Sequence, residues 1–276
     1  MTNADGSLRE APAPRGVLTP GGQADPVSHL RVLPPDTLAP FIAHFWTVRW
    51  SLASPRVAET LPHPSVHIVF EVSNDEERAE VTGVHTARFE RTLRGQGWVF
   101  GVKFRPAAFS ILGGPRVMSE LRDRVVPLEH VFGKDAPAWA RATWQAGSLE
   151  EQIKLAIDIL TPRLSPLPPL AVRTRDLVER MAHDRTLCRT TDAAAALHLN
   201  VRTLERAFHR YVGTTPKWVL SRYRLHEAAE RLKSSSPPSL ATLAAELHYA
   251  DQAHFARDFR SVIGRTPGAF MAMHAR

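Results

Sequence analysis

Apolar positions change their period across residues 161–170. Before that point they come in short runs: HFWTVRW (44–50), VHIVFEV (66–72), ARFERTL (87–93) and GWVFGVKF (97–104). Each is rich in β-branched and aromatic residues and bounded by Pro, Gly or Asn-Asp, which predicts strands. EVSNDEERAEV (71–81) reads as a solvated hairpin turning at Asn-Asp. RPAAFSILGG (105–114) predicts a short helix ended by glycines. SLEEQIKLAIDILT (148–161) predicts a longer helix, with Ser148 and Glu151 spaced as a capping box and Ile153, Ile157 and Leu160 on one face.

The segment TPRLSPLPPL (161–170) holds four prolines and predicts a stiff, extended connector. Beyond it the period is helical throughout. AVRTRDLVERMAHD places Val172, Leu177, Val178 and Met181 on one side. Pro216 to Lys233 forms a long amphipathic stretch with proline in its first turn and SSSPPS after it. No strong strand pattern occurs past residue 170. Residues 1–27, rich in Gly, Pro, Ala and Ser without apolar period, predict a disordered tail.

Two segments of the helical part repeat. Leu197 and His198 align with Leu247 and His248 at an offset of 50; Leu204, Phe208, Gly213 and Pro216 align with Phe255, Phe259, Gly264 and Pro267 at 51. Each copy reads as an alanine-rich helix, a tight turn, and a second helix opened by Asn200 or Asp251, both good N-caps. The second turn is one residue longer. In the first copy Leu204, Ala207, Phe208 and Tyr211 face inward, leaving Arg202, Thr203, Glu205, Arg206, His209 and Arg210 outward. In the second, Phe255, Phe259 and Val262 face inward, leaving Gln252, Ala253, His254, Ala256, Arg257 and Arg260 outward. This is a helix-turn-helix pattern, whose second helix can enter the DNA major groove. Arginine can pair with guanine and glutamine with adenine, so the outward residue types suit base reading. Two units in one chain could engage consecutive groove segments roughly 34 Å apart.

Charge sharpens the picture. Lys+Arg and Asp+Glu are 18 and 18 through residue 169, but 17 and 10 afterwards, so the helical part carries the whole net charge of +7. A basic domain beside a neutral one points to a polyanion partner for the basic part. The chain has a single cysteine, Cys188, which excludes intrachain disulfides and cysteine-rich zinc sites. No apolar run is long enough for a membrane span or secretory signal, so a cytoplasmic protein is expected.

LAAELHYADQAHFARDFRSVIGRTPGAF, with ALHLNVRTLERAFHRYVGTTPKWV and RYRLHEAAERL before it, resembles the DNA-binding domain of AraC/XylS-type bacterial transcription regulators over about residues 186–274. That resemblance implies base reading by Arg202, Glu205 and Arg206 in the first unit and by Gln252, Ala253 and Arg257 in the second, with Asp251 as a cap. Two departures stand out. His198 and His248 occupy positions where that family commonly has glycine, and Ala253 offers a base no hydrogen bond.

The first half resembles, more loosely, the β-rich sensory domain that precedes such DNA-binding domains. The expected fold is α+β in two domains. A tail (1–27) precedes a β-rich, cupin-like or sandwich domain (28–160) for an effector or for dimerisation. A Pro-rich linker (161–170) joins it to an all-α domain (171–276) with two helix-turn-helix units. Promoter DNA is the expected partner, with a small-molecule effector, RNA polymerase and a second copy of the chain as further candidates.

His63 and His67 would share one face of a strand, with His85 within reach. The tighter His-x-His pair of metal cupins is missing, so structural histidines are expected and neither metal nor cofactor. Trp46, Trp50, Trp98, Phe70 and Phe104 fit an apolar ligand pocket or a domain core. An alkyl-transfer repair protein would need several zinc-held cysteines, which Cys188 alone does not supply. No phosphate loop, paired carboxylates or Ser/His/Asp set occurs, so no catalytic activity is expected. The alternative reading is a small-molecule- or metal-binding β-domain whose helical part binds a protein partner.

Overall fold

A computed structural model describes residues 8–12, 16–18, 26–74, 76–112 and 117–274. Among the described residues the first half contains eight strands: β1 (Val27–Val32), β2 (Ile42–Ser51), β3 (Arg56–Thr60), β4 (His67–Ser73), β5 (Glu76–Thr82), β6 (Phe89–Leu93), β7 (Gln96–Phe104) and β8 (Val125–Pro127). Six form an antiparallel sheet in the order β1-β2-β7-β4-β5-β8, and β3 pairs with β6 in a second, two-stranded sheet. The alternation seen in the sequence places the two sides of the large sheet in different surroundings. Directly opposed residues project to the same side. The row Phe45–Val102–Ile68–Val81 and the row Thr47–Phe100–Phe70–Ala79 therefore share one face. Helices α1 (Glu129–Phe132), α2 (Ala136–Gln145) and α3 (Leu149–Leu160) cover that face with Trp139, Ile153, Ala156 and Leu160. Phe45, Phe70 and Phe100 are fully buried there, each worth about 1.5–3 kcal/mol of transfer free energy.

The opposite face carries the rows His44–Lys103–His67–Thr82 and Trp46–Gly101–Val69–Glu80. A β-bulge makes this possible. The register of β2 against β7 jumps between Ile42 and His44, so Ile42 and Phe45 both reach the core while His44 turns away from it. The small sheet lies on this second face, where Trp50, Val99 and Leu93 pack with Ala58, Val48 and Val69.

The predicted strands at 44–50, 66–72, 87–93 and 97–104 all occur. The hairpin closes with Ser73 opposite Glu76 and Asn74 at φ 49°; Asp75 lies outside the described residues. The stretch 105–114 forms only a 3-10 turn, Ala108–Ile111, and its closing glycines fall outside the described residues. Ser148 caps α3 by accepting from the Glu151 amide at 3.2 Å, while the Glu151 carboxylate accepts from Gly147, one residue before the ideal box. Strands β1, β3 and β8 and helices α1 and α2 are not among the elements predicted from the sequence.

The tail expectation needs correction wherever the tail is described. Glu10 bridges Val32, Val17 bridges Thr60, and Leu18 is fully buried. Backbone pairing along sheet edges and one inserted leucine order these residues without any apolar period. Positions 1–7, 13–15 and 19–25 lie outside the described residues.

After a 3-10 turn at Thr161–Arg163 the chain extends and then enters α4 (Pro169–Met181), which uses Pro169 in its first turn. The extended connector is thus shorter than the proline content implies. There follow α5 (Thr190–Ala196), α6 (Val201–Ala207), α7 (Pro216–Leu232), α8 (Leu240–Glu246), α9 (Gln252–Ile263) and α10 (Pro267–His274). Helix α7 belongs to two cores. Its Val219 and Leu220 pack with Leu204, Phe208 and Leu177, and its Leu225, Ala228, Ala229 and Leu232 pack with Leu243, Phe255, Phe259 and Phe270. Leu18 and Leu61 from the first half complete this second core.

Polar contacts join the halves. Glu59 accepts from Arg88 at 3.1 Å and Arg265 at 2.8 Å, and Arg88 donates to the Ile263 carbonyl at 2.5 Å. Arg222 donates to the Thr86 carbonyl at 2.5 Å, Lys233 to the Val17 carbonyl at 2.6 Å, and Arg105 pairs with Glu179 at 2.6 Å.

Candidate nucleic-acid interface

The two repeated segments fold alike down to single hydrogen bonds. In the first, α5 ends at Leu197, His198 takes φ 51°, and the Leu199 amide donates to the Ala194 carbonyl at 2.9 Å. In the second, α8 ends at Leu247, His248 takes φ 59°, and the Tyr249 amide donates to the Ala244 carbonyl at 2.9 Å. The left-handed turn is therefore kept although histidine replaces glycine; histidine is among the side chains more often found there. Ala250 supplies the extra residue of the second turn.

Both second helices are capped as their sequences predict. Asn200 Oδ1 accepts from the Thr203 amide at 2.8 Å, and Asp251 Oδ1 accepts from the His254 amide at 2.6 Å. Helix α6 continues as a π-turn, Phe208–Val212, to Gly213 at φ 91°; α9 runs unbroken to Gly264 at φ 82°. The hydroxyl of Tyr249 and that of Ser221 on α7 both donate to Asp258, at 2.7 and 3.3 Å, which fixes α9 on α7.

Leu204, Ala207, Phe208 and Tyr211 are buried, as expected. Arg202, Glu205, Arg206, His209 and Arg210 are exposed and Thr203 half-buried. On α9 the buried stripe is Phe255, Phe259 and Ile263; Val262 is only half-buried, which corrects the expected third core position. A stripe repeating every fourth residue turns slowly around the helix and reaches 263 before 262. Gln252, Ala253, His254, Arg257 and Arg260 are exposed, and Ala256 is half-buried.

The electrostatics differ between this face and the scaffold. Arg185 pairs with Glu227, Arg231 with Glu246 at 2.5 Å, and Arg180 with Asp184 at 3.0 Å. Among the described residues Arg202, Arg206, Arg257 and Arg260 make no ion pair. Their charge is left for an external anion. Arg210 lies over the Tyr211 ring at 5.4 Å. His209 is engaged, its Nε2 2.9 Å from the Ser119 hydroxyl of the β-rich half. The sequence carries no signal for that contact, because its partners stand 90 residues apart.

His63, His67 and His85 do not lie together on one strand face. His63 precedes β4 instead of sharing its face with His67, and its ring lies 4.2 Å from that of His226 on α7. His85 lies beside Phe89, with ring centroids 5.6 Å apart. Among the described residues no three His, Cys, Asp or Glu side chains form a group able to hold a metal ion, and no helix is long and apolar enough to cross a membrane.

Residues 193–273 match a family described as a helix-turn-helix domain, and residues 30–127 match a domain of unknown function, DUF6597. The chain is 35% identical over 104 residues to the transcriptional activator NphR of Rhodococcus sp, covering 38% of this chain and 30% of that protein. It is 38% identical over 69 residues to the HTH-type transcriptional activator RhaS of Pectobacterium carotovorum subsp. carotovorum strain PC1, covering 25% and 24%. The matched stretches thus span less than a third of those relatives' lengths. The crystal structure of an AraC-type transcriptional regulator from Chromobacterium violaceum aligns at 26% identity and a TM-score of 0.35, covering 38% of this chain and 93% of that one.

Proposed function

We propose that this chain, whose residues 193–273 are a helix-turn-helix domain of the AraC/XylS type, is a sequence-specific DNA-binding regulator of transcription. One observation carries the reading: two capped helices, α6 and α9, each present an exposed face of arginines that no carboxylate among the described residues neutralises. On the scaffold Arg180, Arg185 and Arg231 are paired with carboxylates; these are not. Arg202, Thr203, Glu205, Arg206, His209 and Arg210 form the proposed contact set of the first unit, and Gln252, Ala253, His254 and Arg257 that of the second. Arginine and glutamine read base edges, while Ala253 offers only methyl contact. Helix α7, 17 residues and about 25 Å long, ties the two units together through its two cores.

The β-rich half is proposed as the regulatory part, sensing a small molecule or joining two copies. No reaction is assigned to the chain.

The test is binding of the full chain to a randomised duplex library, followed by affinity measurement across salt concentrations on the enriched sequence. If about six phosphates are neutralised, log affinity falls with log salt at a slope near −5. Failure to enrich any sequence, or a flat salt response, would remove the reading.

A further inference from the structure

Five basic or hydrogen-bond-donating side chains gather on the polar face of the large sheet, and no function above uses them. Lys103 on β7 stands directly between His44 on β2 and His67 on β4. Trp46, one row along, lies flat against Gly101, where an added Cβ would fall 2.1–2.4 Å from its indole atoms. Its ring meets His67 edge-on at 5.9 Å. Arg31 on β1 donates from Nε to His44 Nε2 at 3.1 Å and from Nη1 to the Pro12 carbonyl at 2.6 Å.

These groups offer donors and find few acceptors. Among the described residues the Lys103 ammonium has no hydrogen-bond or ion-pair partner, and the buried Trp46 Nε1–H has none either. The carboxylates of this face are elsewhere. Glu71 is four residues along β4 from His67, roughly 13 Å, and is held by Arg78 and Arg91 at 2.7 Å each. Glu80 on β5 stands opposite Val69, two strands from Lys103. Desolvation, with the neighbouring Arg31 charge, pushes Lys103 down to about 7, and burial and the same cations hold His44 and His67 well below the usual imidazole range. His85 is lowered by burial too. An uncompensated cation at such a position is costly unless an anion joins it.

The face is accessible yet enclosed. Lys103, His67, Trp46 and Val69 are only half-buried, although β3 and β6 cover the neighbouring part of the same face. On another side stands His226 of α7, close enough that the Lys103 charge contributes to lowering its pKa to about 3.

We propose that Lys103, His67, Trp46 and the His44–Arg31 pair form a binding site for a small oxyanion, the carboxylate or phosphate group of a metabolite. Ammonium, guanidinium, imidazole and indole N–H donors meet the anion from four adjacent strands, β1, β2, β7 and β4, and Trp46 and Val69 give its carbon skeleton an apolar wall. Because the site borders α7, an occupant there would be felt by the helix that cores both helix-turn-helix units. This last consequence rests on the DNA-binding reading; the site itself does not.

The experiment measures thermal unfolding of the full chain against increasing acetate or inorganic phosphate, at ionic strength held constant with chloride. One of the two anions is expected to raise the midpoint saturably, which also tells a carboxylate from a phosphate preference. Lys103→Met removes the charge and is expected to fold and to lose the response. Arg49→Met, an exposed position on the same sheet, is expected to keep it. Binding of acetate, singly charged throughout, to wild-type protein should weaken about tenfold from pH 6 to pH 8, as Lys103 loses its proton near pH 7, whereas phosphate gains a charge of its own over this range. That arm needs no variant. A midpoint unmoved by both anions at pH 6, or an equal response in Lys103→Met, overturns the proposal. Failure to bind DNA with the anion response intact would instead count only against the regulator reading.

Discussion

The Ser119 hydroxyl lies 2.9 Å from Nε2 of His209, tying the π-turn that continues α6 to the β-rich half. The contact belongs to a wider docking patch. Beside it Gly213 takes φ 91°, and a Cβ there would fall 2.8 Å from the Met118 carbonyl oxygen. A backbone oxygen cannot swing away as a side-chain tip can. Gly213→Ala is therefore expected to destabilise the protein by ~1–3 kcal/mol, from left-handed strain and from prising the patch open. A lower urea midpoint with an unchanged slope is the expected readout; a midpoint equal to wild type would show that the two halves part freely here.

Arg206 and Leu204 are two residues apart on α6 and point opposite ways. Arg206 is exposed and unpaired among the described residues, while Leu204 is fully buried. Arg206→Ala should leave stability within ~0.5 kcal/mol of wild type. It should cost ~1–3 kcal/mol in binding the enriched duplex and relax the choice of base at particular positions. Equal weakening on all sequences would make Arg206 a phosphate contact instead. Leu204→Ala, like Phe259→Ala in the second unit, should cost ~2–5 kcal/mol of stability by opening a core cavity. Urea denaturation and duplex titration of the same samples separate the two effects.

The caps make the duplication testable. Asn200→Ala removes the 2.8 Å bond to the Thr203 amide, and Asp251→Ala the 2.6 Å bond to the His254 amide. Each should cost ~1 kcal/mol. The two capped helices pack in different cores, so the effects should add in the double variant. Strong non-additivity would mean the units do not melt independently of each other's helix ends.

These features were legible in the sequence because they are local. Asn200, Asp251, the alanine-rich first helices and the arginines at 202, 206 and 257 all act within one turn or one helix face. The predicted inward set erred only at Val262, where a small angular drift favoured Ile263. The basic row of the β-rich half was not legible. Lys103 ends an ordinary strand pattern, His44 and His67 sit in other strands, and only the sheet register makes them neighbours. The bulge before His44 adds a one-residue shift that strict alternation would misplace. The docking of Leu18 and the His63–His226 contact join residues too far apart in the chain for any periodicity to report.

That histidine pair leads to a prediction about pH. His226 is 4% exposed, its Nε2 lies 3.2 Å from the Pro62 carbonyl, and its pKa is lowered to about 3, first by desolvation and then by the nearby Lys103, Arg222 and Lys233 charges. The unfolded chain, with histidine near 6.5, binds the proton more readily than the folded one. The stability this neutral histidine contributes is thus complete above about pH 6.5 and lost as pH falls from there toward 3. Each such group removes up to ~1.4 kcal/mol per pH unit in that window. His44 is shifted in the same direction and adds to the slope. The urea midpoint should therefore fall steadily from pH 7.5 to pH 5. His226→Gln cannot take up a proton but can still donate to the Pro62 carbonyl, so its profile should be flatter than wild type below pH 6.5. Parallel profiles for the two proteins would mean that His226 ionises as easily in the folded chain as in the unfolded one, and that α7 is not sealed against the β-rich half at this point.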